Sequence, residues 1–489
     1  MLAALAATFG LPRQVLAATS PQVHLGAPQP FSWDVLVAMA RKLAAAPYVA
    51  PKPTPNAAPD YDSAVKATYG PAKTLAGNVR LFPAAKINAP FPVEIALVKD
   101  GQARRVVDTT GLFVGSAHSD AAGFRVMTPD GKSDWLAYMG ASYFRASGSR
   151  DQYGLSARGI AIDTGSNHGE EFPNFTKFWF EETGADRVRV HALMEGPSLT
   201  GAYAFDCAKT DAGVVQDIRA TLFLRKDVEQ LGLAAASSMF WYDQADPHKR
   251  PDWRPEIHDS DGLAIWSGNG ERVWRPLQDP AGAKMFSFRA DHPKGFGLLQ
   301  RDQHFDHYED DGVFYDKRPS LWVEPQGDWG AGAVYLYEMP TKSETLDNIA
   351  VFWRGDAPAR AGERRDFGYR LTWTSNDPTI DANARCINSF LGPAGIPGHE
   401  YIADGLKFVY DFAGPSLKGL TRESGVKLVS SVPQAALIAA EAYPIVGTDD
   451  MWRAMIDLKP AGLPAPDFRL FLQHEGTALT ETVIQAIEP

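Results

Sequence analysis

From Asp217 to Arg225 the chain alternates, with Ile218, Ala220, Leu222 and Leu224 set between Asp217, Arg219, Thr221 and Phe223. A period of two is the signature of a strand with one face turned to a core. Arg187–Ala192 and Ala333–Glu338 repeat the pattern, as do Phe408, Tyr410 and Phe412, and later Phe468, Leu470 and Leu472. Turn signals separate such runs: Pro129-Asp130-Gly131, Gly268-Asn269-Gly270 and Asp310-Asp311-Gly312. With 43 Gly and 36 Pro, the chain has many places to turn and few to extend a helix. The expected fold class is all-β.

One helix is expected, over Phe31–Ala46. Ser32 suits its N-cap, Val35, Leu36, Met39 and Leu43 share a face, and Pro47 ends it. That apolar stripe reads as core packing rather than a binding surface. The chain has 489 residues, enough for two or three domains at roughly 150 residues each. The short polar stretch Thr374–Pro378 is the best linker. It divides a large β-sandwich over 22–373 from a small Ig-like sandwich over 378–489. No repeat of fixed period is visible.

The net charge of −11 argues against a phosphate-backbone partner. Leu2–Ala18 is rich in Ala and Leu and ends in small residues, which reads as a secretory signal over 1–18. Pro12 and Arg13 oppose the alternative, a core helix. No later run has the ~20 apolar residues that a bilayer requires, so no stable membrane insertion is expected. Cys207 and Cys386 lie far apart, without a CxxC or a His at metal-ligand spacing; a structural zinc site is not expected, and a disulfide between them is left open by the sequence.

Polar and aromatic residues cluster in Gly140–Arg145, Tyr153–Gly159, Glu170–Pro173 and Arg254–Leu263. Such clusters suit a sugar cleft, where carboxylates and Arg bond hydroxyls and aromatic faces stack on pyranose C–H surfaces. Each alone also reads as a solvated turn. Glycoside chemistry needs one carboxyl that stays protonated and one that stays ionised. With 59 Asp and Glu, counting cannot find that pair. A GxSxG elbow, a P-loop and an HExxH are all lacking.

Taken in order, these clusters form a longer series with Gly123-Phe124-Arg125, Gly201-Ala202-Tyr203, Trp274–Leu277, Gly295–Arg301, Arg318-Pro319-Ser320 and Asp347-Asn348-Ile349. The series resembles the signature blocks of the periplasmic glucan biosynthesis G/D family, glycoside hydrolase family 186. The likeness runs from about residue 30 to 373 and is weaker beyond. It implies a galactose-mutarotase-like sandwich followed by an Ig-like domain, a periplasmic location, and twin-arginine export. It also implies a role in making osmoregulated periplasmic glucans. The expected partner is the β-1,2-glucan chain, cut with inversion or transferred to close a cyclic glucan; no cofactor is expected, and a homodimer is left open.

By the same resemblance Asp347 is the general acid and Asp259 the base. Glu344 and Tyr315 are relay residues, and Arg158, His258 and Trp329 are sugar contacts. An inverting pair commonly stands roughly 6.5–9.5 Å apart, and relay through a sugar hydroxyl or waters allows more. Without the resemblance, Asp347 reads as a turn cap and His258 as a structural histidine. Departures include Ala234–Phe240, which lacks the family's Pro, and the divergent loop Gly392–Gly398. They leave chain-length preference, and hydrolysis against transfer, open. The competing expectation is a non-catalytic scaffold that holds nascent glucan.

Overall fold

The computed structural model describes residues 23–55, 57, 74–87, 89–109, 112–113, 120–246, 250–378, 382–396 and 398–487. The expected secretory segment over 1–18 lies outside them. The described chain is all-β, with two large sheets, a four-stranded third one and a two-stranded ribbon.

The first sheet is a long series. Strand Gln102–Asp108 pairs with Glu94–Lys99, which runs parallel to Asn174–Gly184. Arg187–Glu195, Leu199–Thr210 and Gly213–Leu224 follow as an antiparallel meander. The sheet continues through Arg364–Thr374, Ser320–Gln326, Gly295–Leu299, Gly262–Trp266 and Arg272–Pro276. Among the described residues no pairing joins its two ends, so it is an open sheet. The second sheet runs from Lys284–Arg289 through Gly332–Glu338, Ile349–Gly355 and Leu231–Ser238 to Val79–Pro83.

Their inner faces form the main core. Phe124, Tyr138 and Phe144 face one another across paired strands of the second sheet and stack with ring centroids 4.7 and 4.9 Å apart. Phe178 and Phe205 of the first sheet meet these rings edge-on at 5.1 and 5.3 Å. Alternation delivers these residues: one parity of each strand builds the interface, and offset and edge contacts are preferred between rings.

The helix forms over Trp33–Ala44 with Ser32 as its N-cap, the Ser32 hydroxyl accepting from Val35 N at 3.3 Å. It covers the outer face of the first sheet, against Trp179, Leu193, Ala202 and Phe223. Its inner stripe differs from the expected one: Leu36, Val37 and Ala40 are buried, whereas Met39 is 37% exposed. Trp33, Leu43 and Ala44 complete a face spaced by three and four, which leaves Met39 on the solvent side.

Sheet pairing crosses the expected linker at 374–378. Thr482–Ala486 runs parallel to Arg272–Pro276, and Asp467–His474 and Lys427–Ser430 extend the first sheet beyond it. A third sheet packs on this extension, in the order Arg385–Pro393, Leu406–Ala413, Met451–Leu458, Leu437–Pro444. Their shared core joins Phe408, Tyr410, Trp452 and Leu470 to Trp274 and Trp322 from before the linker. Cys207 and Cys386 are free, buried and in different cores.

Candidate active site

One short segment places both candidate acids. After Leu231–Ser238 ends, Met239 leads into Phe240–Tyr242, which pairs with Ile257–His258. Asp259, the next residue, donates its N–H to Met239 O at 2.8 Å. On the other side Ser238 pairs with Ile349, two residues past Asp347. Asn348 closes the arrangement, its buried amide bonded to the backbone of Phe240 and to Met339 O. Asp259 and Asp347 thus flank one stretch of backbone, near enough to act on each other electrostatically.

Their surroundings differ. Asp259 is buried and ion-paired with Arg318, whose guanidinium lies 3.9 Å from the centre of the Tyr315 ring. Gly154 makes room, since a Cβ there would stand 3.0 Å from the Arg318 side chain. Asp347 is open to solvent, and no hydrogen bond or ion pair holds its carboxyl among the described residues. Loss of hydration is the largest influence on it and raises it above the ordinary aspartate value; the charge of Asp259 adds to this, while Arg158, Arg145 and Arg318 oppose it. Its open side weakens the desolvation, but the repulsion from Asp259 acts in the same direction.

Tyr315 and Glu344 adjoin the pair. The Tyr315 hydroxyl donates to Glu344 Oε2 at 2.6 Å, and Arg254 grips both Glu344 oxygens at 2.9 and 3.2 Å. Arg254 also binds Asp310 at 2.6 Å and Asp252 at 2.7 Å. Against the upward pull of burial, the bonds from Arg254 and Tyr315 hold Glu344 below its ordinary value. Burial, together with the bond to Glu344, drives Tyr315 above its own.

Arg158 is also in this region. It bonds Ser237 Oγ at 2.7 Å, pairs with Glu170, and lies under the rings of Tyr143 and Phe172 at 4.9 and 5.6 Å. Tyr143 and Phe172 line an adjoining cavity of about 310 Å³ with Phe91 and Phe175.

Two expected sugar contacts fall elsewhere. His258 is 1% exposed and lines a separate cavity that neither Asp259 nor Asp347 borders. Neighbours on a strand face opposite ways, so an acid beside a histidine in sequence is turned from it in space. Burial disfavours the His258 charge, but the carboxylates of Glu256, 3.6 Å from its Nε2, and of Asp261 and Asp243 outweigh it, taking His258 up to about 10. Burial likewise lifts Asp243 to about 6 and Asp261 to about 7. In this cavity Glu256, Asp302 and His307 present ligand atoms within 4.8 Å of one another, the one group among the described residues with metal-ligand geometry. Trp329 lies in the loop between Ser320–Gln326 and Gly332–Glu338, bonded to Gly368 O and packed on Tyr369 and on Trp353, toward the other end of the Ile349–Gly355 strand from Asp347. There it lines a different cavity, of about 710 Å³, away from the two acids.

Arg318, Arg254 and Asn348 hold the expected residues in place and are not among the residues expected from the sequence. Each was already inside one of the ordered blocks, Arg-Pro-Ser, Arg254–Leu263 and Asp-Asn-Ile. For Arg254 the available signal was a cation within a block that also supplies carboxylates; Arg318 and Asn348 carry no such signal.

Residues 31–487 match the family model described as periplasmic glucan biosynthesis protein, MdoG. The chain is 41% identical to glucans biosynthesis protein D 2 of Ralstonia nicotianae, over 100% of this chain and 96% of that one. It is 40% identical to glucans biosynthesis protein D of Xanthomonas oryzae pv. oryzae, over 96% and 93%. Among solved structures, a galactose mutarotase related enzyme from Lactobacillus acidophilus is 9% identical with a TM-score of 0.22, covering 53% of this chain and 97% of that one.

Proposed function

From the premise that this chain belongs to the periplasmic glucan biosynthesis protein family, we propose that it is an anomer-inverting enzyme acting on the β-1,2-glucan backbone. Family membership carries the role in glucan biosynthesis and the periplasmic location. The observation that supports catalysis is the contrast between two neighbouring carboxyls: Asp259 against Arg318, Asp347 raised and untethered. Environments that push two carboxyls apart are how one site holds an acid and a base at one pH.

In this reading Asp347 gives its proton to the glycosidic oxygen as the C1–O bond breaks. A water, or a hydroxyl of the glucan itself, attacks C1 from the opposite face and loses its proton toward Asp259. Tyr315, bonded to Glu344 and stacked with Arg318, is placed to pass or orient that proton. Arg158, set between Tyr143 and Phe172, is placed to bond a sugar hydroxyl while the rings stack. Twin-arginine export belongs to the same proposal and rests on the family resemblance.

Incubation of the purified protein with linear β-1,2-glucan tests this. New reducing ends mark hydrolysis; products one water lighter than linear chains mark cyclising transfer. Intact glucan that binds equally to wild type and to Asp347→Asn would replace the enzyme with a glucan-holding scaffold.

A further inference from the structure

The cavity beside His258 has a volume of about 190 Å³ and a composition that the glucan chemistry leaves unused. Asp243, Glu256, Asp261 and Asp302 border it, against two imidazoles, His258 and His307. Arg301 also reaches it, but its guanidinium is engaged by Asp377 at 2.9 Å and Glu481 at 2.6 Å. Four carboxylates outnumber the two imidazoles here, so the space stays acidic even with His258 protonated, and a bound cation would lower their mutual repulsion.

A second observation points to a ligand. Glu256 is 4% exposed, and its Oε1, cut off from solvent, has no hydrogen-bond partner. A buried carboxylate oxygen without a donor is costly, and a bound cation removes that cost. His307 and Asp302 are already held together at this place, His307 Nδ1 standing 2.5 Å from Asp302 Oδ2.

We propose that this cavity binds a divalent transition-metal cation through Glu256, Asp302 and His307. Two oxygens and one imidazole nitrogen suit Zn²⁺ or Mn²⁺, whereas Ca²⁺ and Mg²⁺ favour oxygen alone. The ligands come from two segments. Glu256 precedes the short strand Ile257–His258 that leads into Asp259; Asp302 and His307 begin the segment that ends with Tyr315 and Arg318. The cation would therefore pin together the two stretches that carry Asp259 and its ion-pair partner.

The test uses the full chain without a histidine tag, stripped with a chelator and titrated separately with ZnCl₂, MnCl₂, CaCl₂ and MgCl₂. Calorimetry should show one equivalent of Zn²⁺ or Mn²⁺ binding, with a rise in melting temperature. His307→Gln, at a side chain 32% exposed, leaves the fold intact and should weaken binding about tenfold or more, as should Glu256→Gln. Absence of saturable binding overturns the proposal, and so does an affinity unchanged by His307→Gln. Ca²⁺ or Mg²⁺ binding as tightly as Zn²⁺ overturns the mixed ligand set. None of these readouts depends on glucan turnover.

Discussion

The side chain of Asn348 pairs with the backbone of Phe240 as a neighbouring strand would: Phe240 N donates to its Oδ1 and its Nδ2 donates to Phe240 O, both at 2.9 Å. Phe240 in turn pairs with His258, one residue before Asp259. The position of Asp347 relative to Asp259 therefore depends on an amide that is not itself an acid or a base. Asn348→Ala leaves buried backbone groups of Phe240 unpaired and should cost about 2–4 kcal/mol of stability. Turnover should fall at least tenfold in protein that remains folded, which denaturant melts and kinetics on the same samples can separate.

Asp347→Asn should lower turnover by about 10²–10⁴-fold, the usual contribution of a general acid. Its effect on stability has the opposite sign. The Asp347 carboxyl is raised in the folded chain, so it favours the fold fully below the ordinary aspartate range, and this is lost as pH rises through the folded value. At pH 7 the amide should therefore melt higher than wild type, and the gain should vanish at roughly pH 3. In wild type the alkaline fall of kcat should come later than for an ordinary aspartate. A melting temperature lowered at both pH values would contradict the burial and like-charge account.

Arg318→Met removes the cation beside Asp259 and leaves a buried charge alone. A loss of about 3–5 kcal/mol is expected from breaking such a pair. Adding Asp259→Asn to the same chain should recover part of it, because the two losses share one interaction. Strict additivity in urea unfolding would mean that the pair contributes nothing jointly.

Trp329→Ala should cost about 1–2 kcal/mol through lost contact with Trp353 and Tyr369. KM for glucan should change less than twofold, since Trp329 packs on Trp353, toward the other end of the Ile349–Gly355 strand from Asp347. A large rise in KM would return this residue to the substrate path.

The strands were legible because their alternation survives almost intact, from Ile218–Leu224 to Phe468–Leu472. Asp259 and Asp347 were legible only through the ordered blocks; with 59 acidic residues, no spacing distinguishes them. Their meeting point, the Met239–Phe240 backbone, carries no side-chain chemistry and leaves no trace in a sequence pattern. His258 shows the converse. Adjacency to Asp259 read as shared chemistry, whereas strand geometry turns the two apart. Met39 was misassigned because an apolar helix position one step off the buried stripe looks the same in a list of hydrophobic residues.

The parallel pairing of Val273 with Thr482 and Trp274 with Val483 also governs how the chain is made. When the Arg272–Pro276 strand leaves the ribosome, its partner is on the order of 200 residues from being translated, roughly 10–40 s at ordinary elongation rates. Until then that edge exposes unpaired backbone, a template for aggregation. A stop codon before Thr482 would remove that partner strand, so such a truncation should yield insoluble protein rather than an enzyme with a trimmed accessory region.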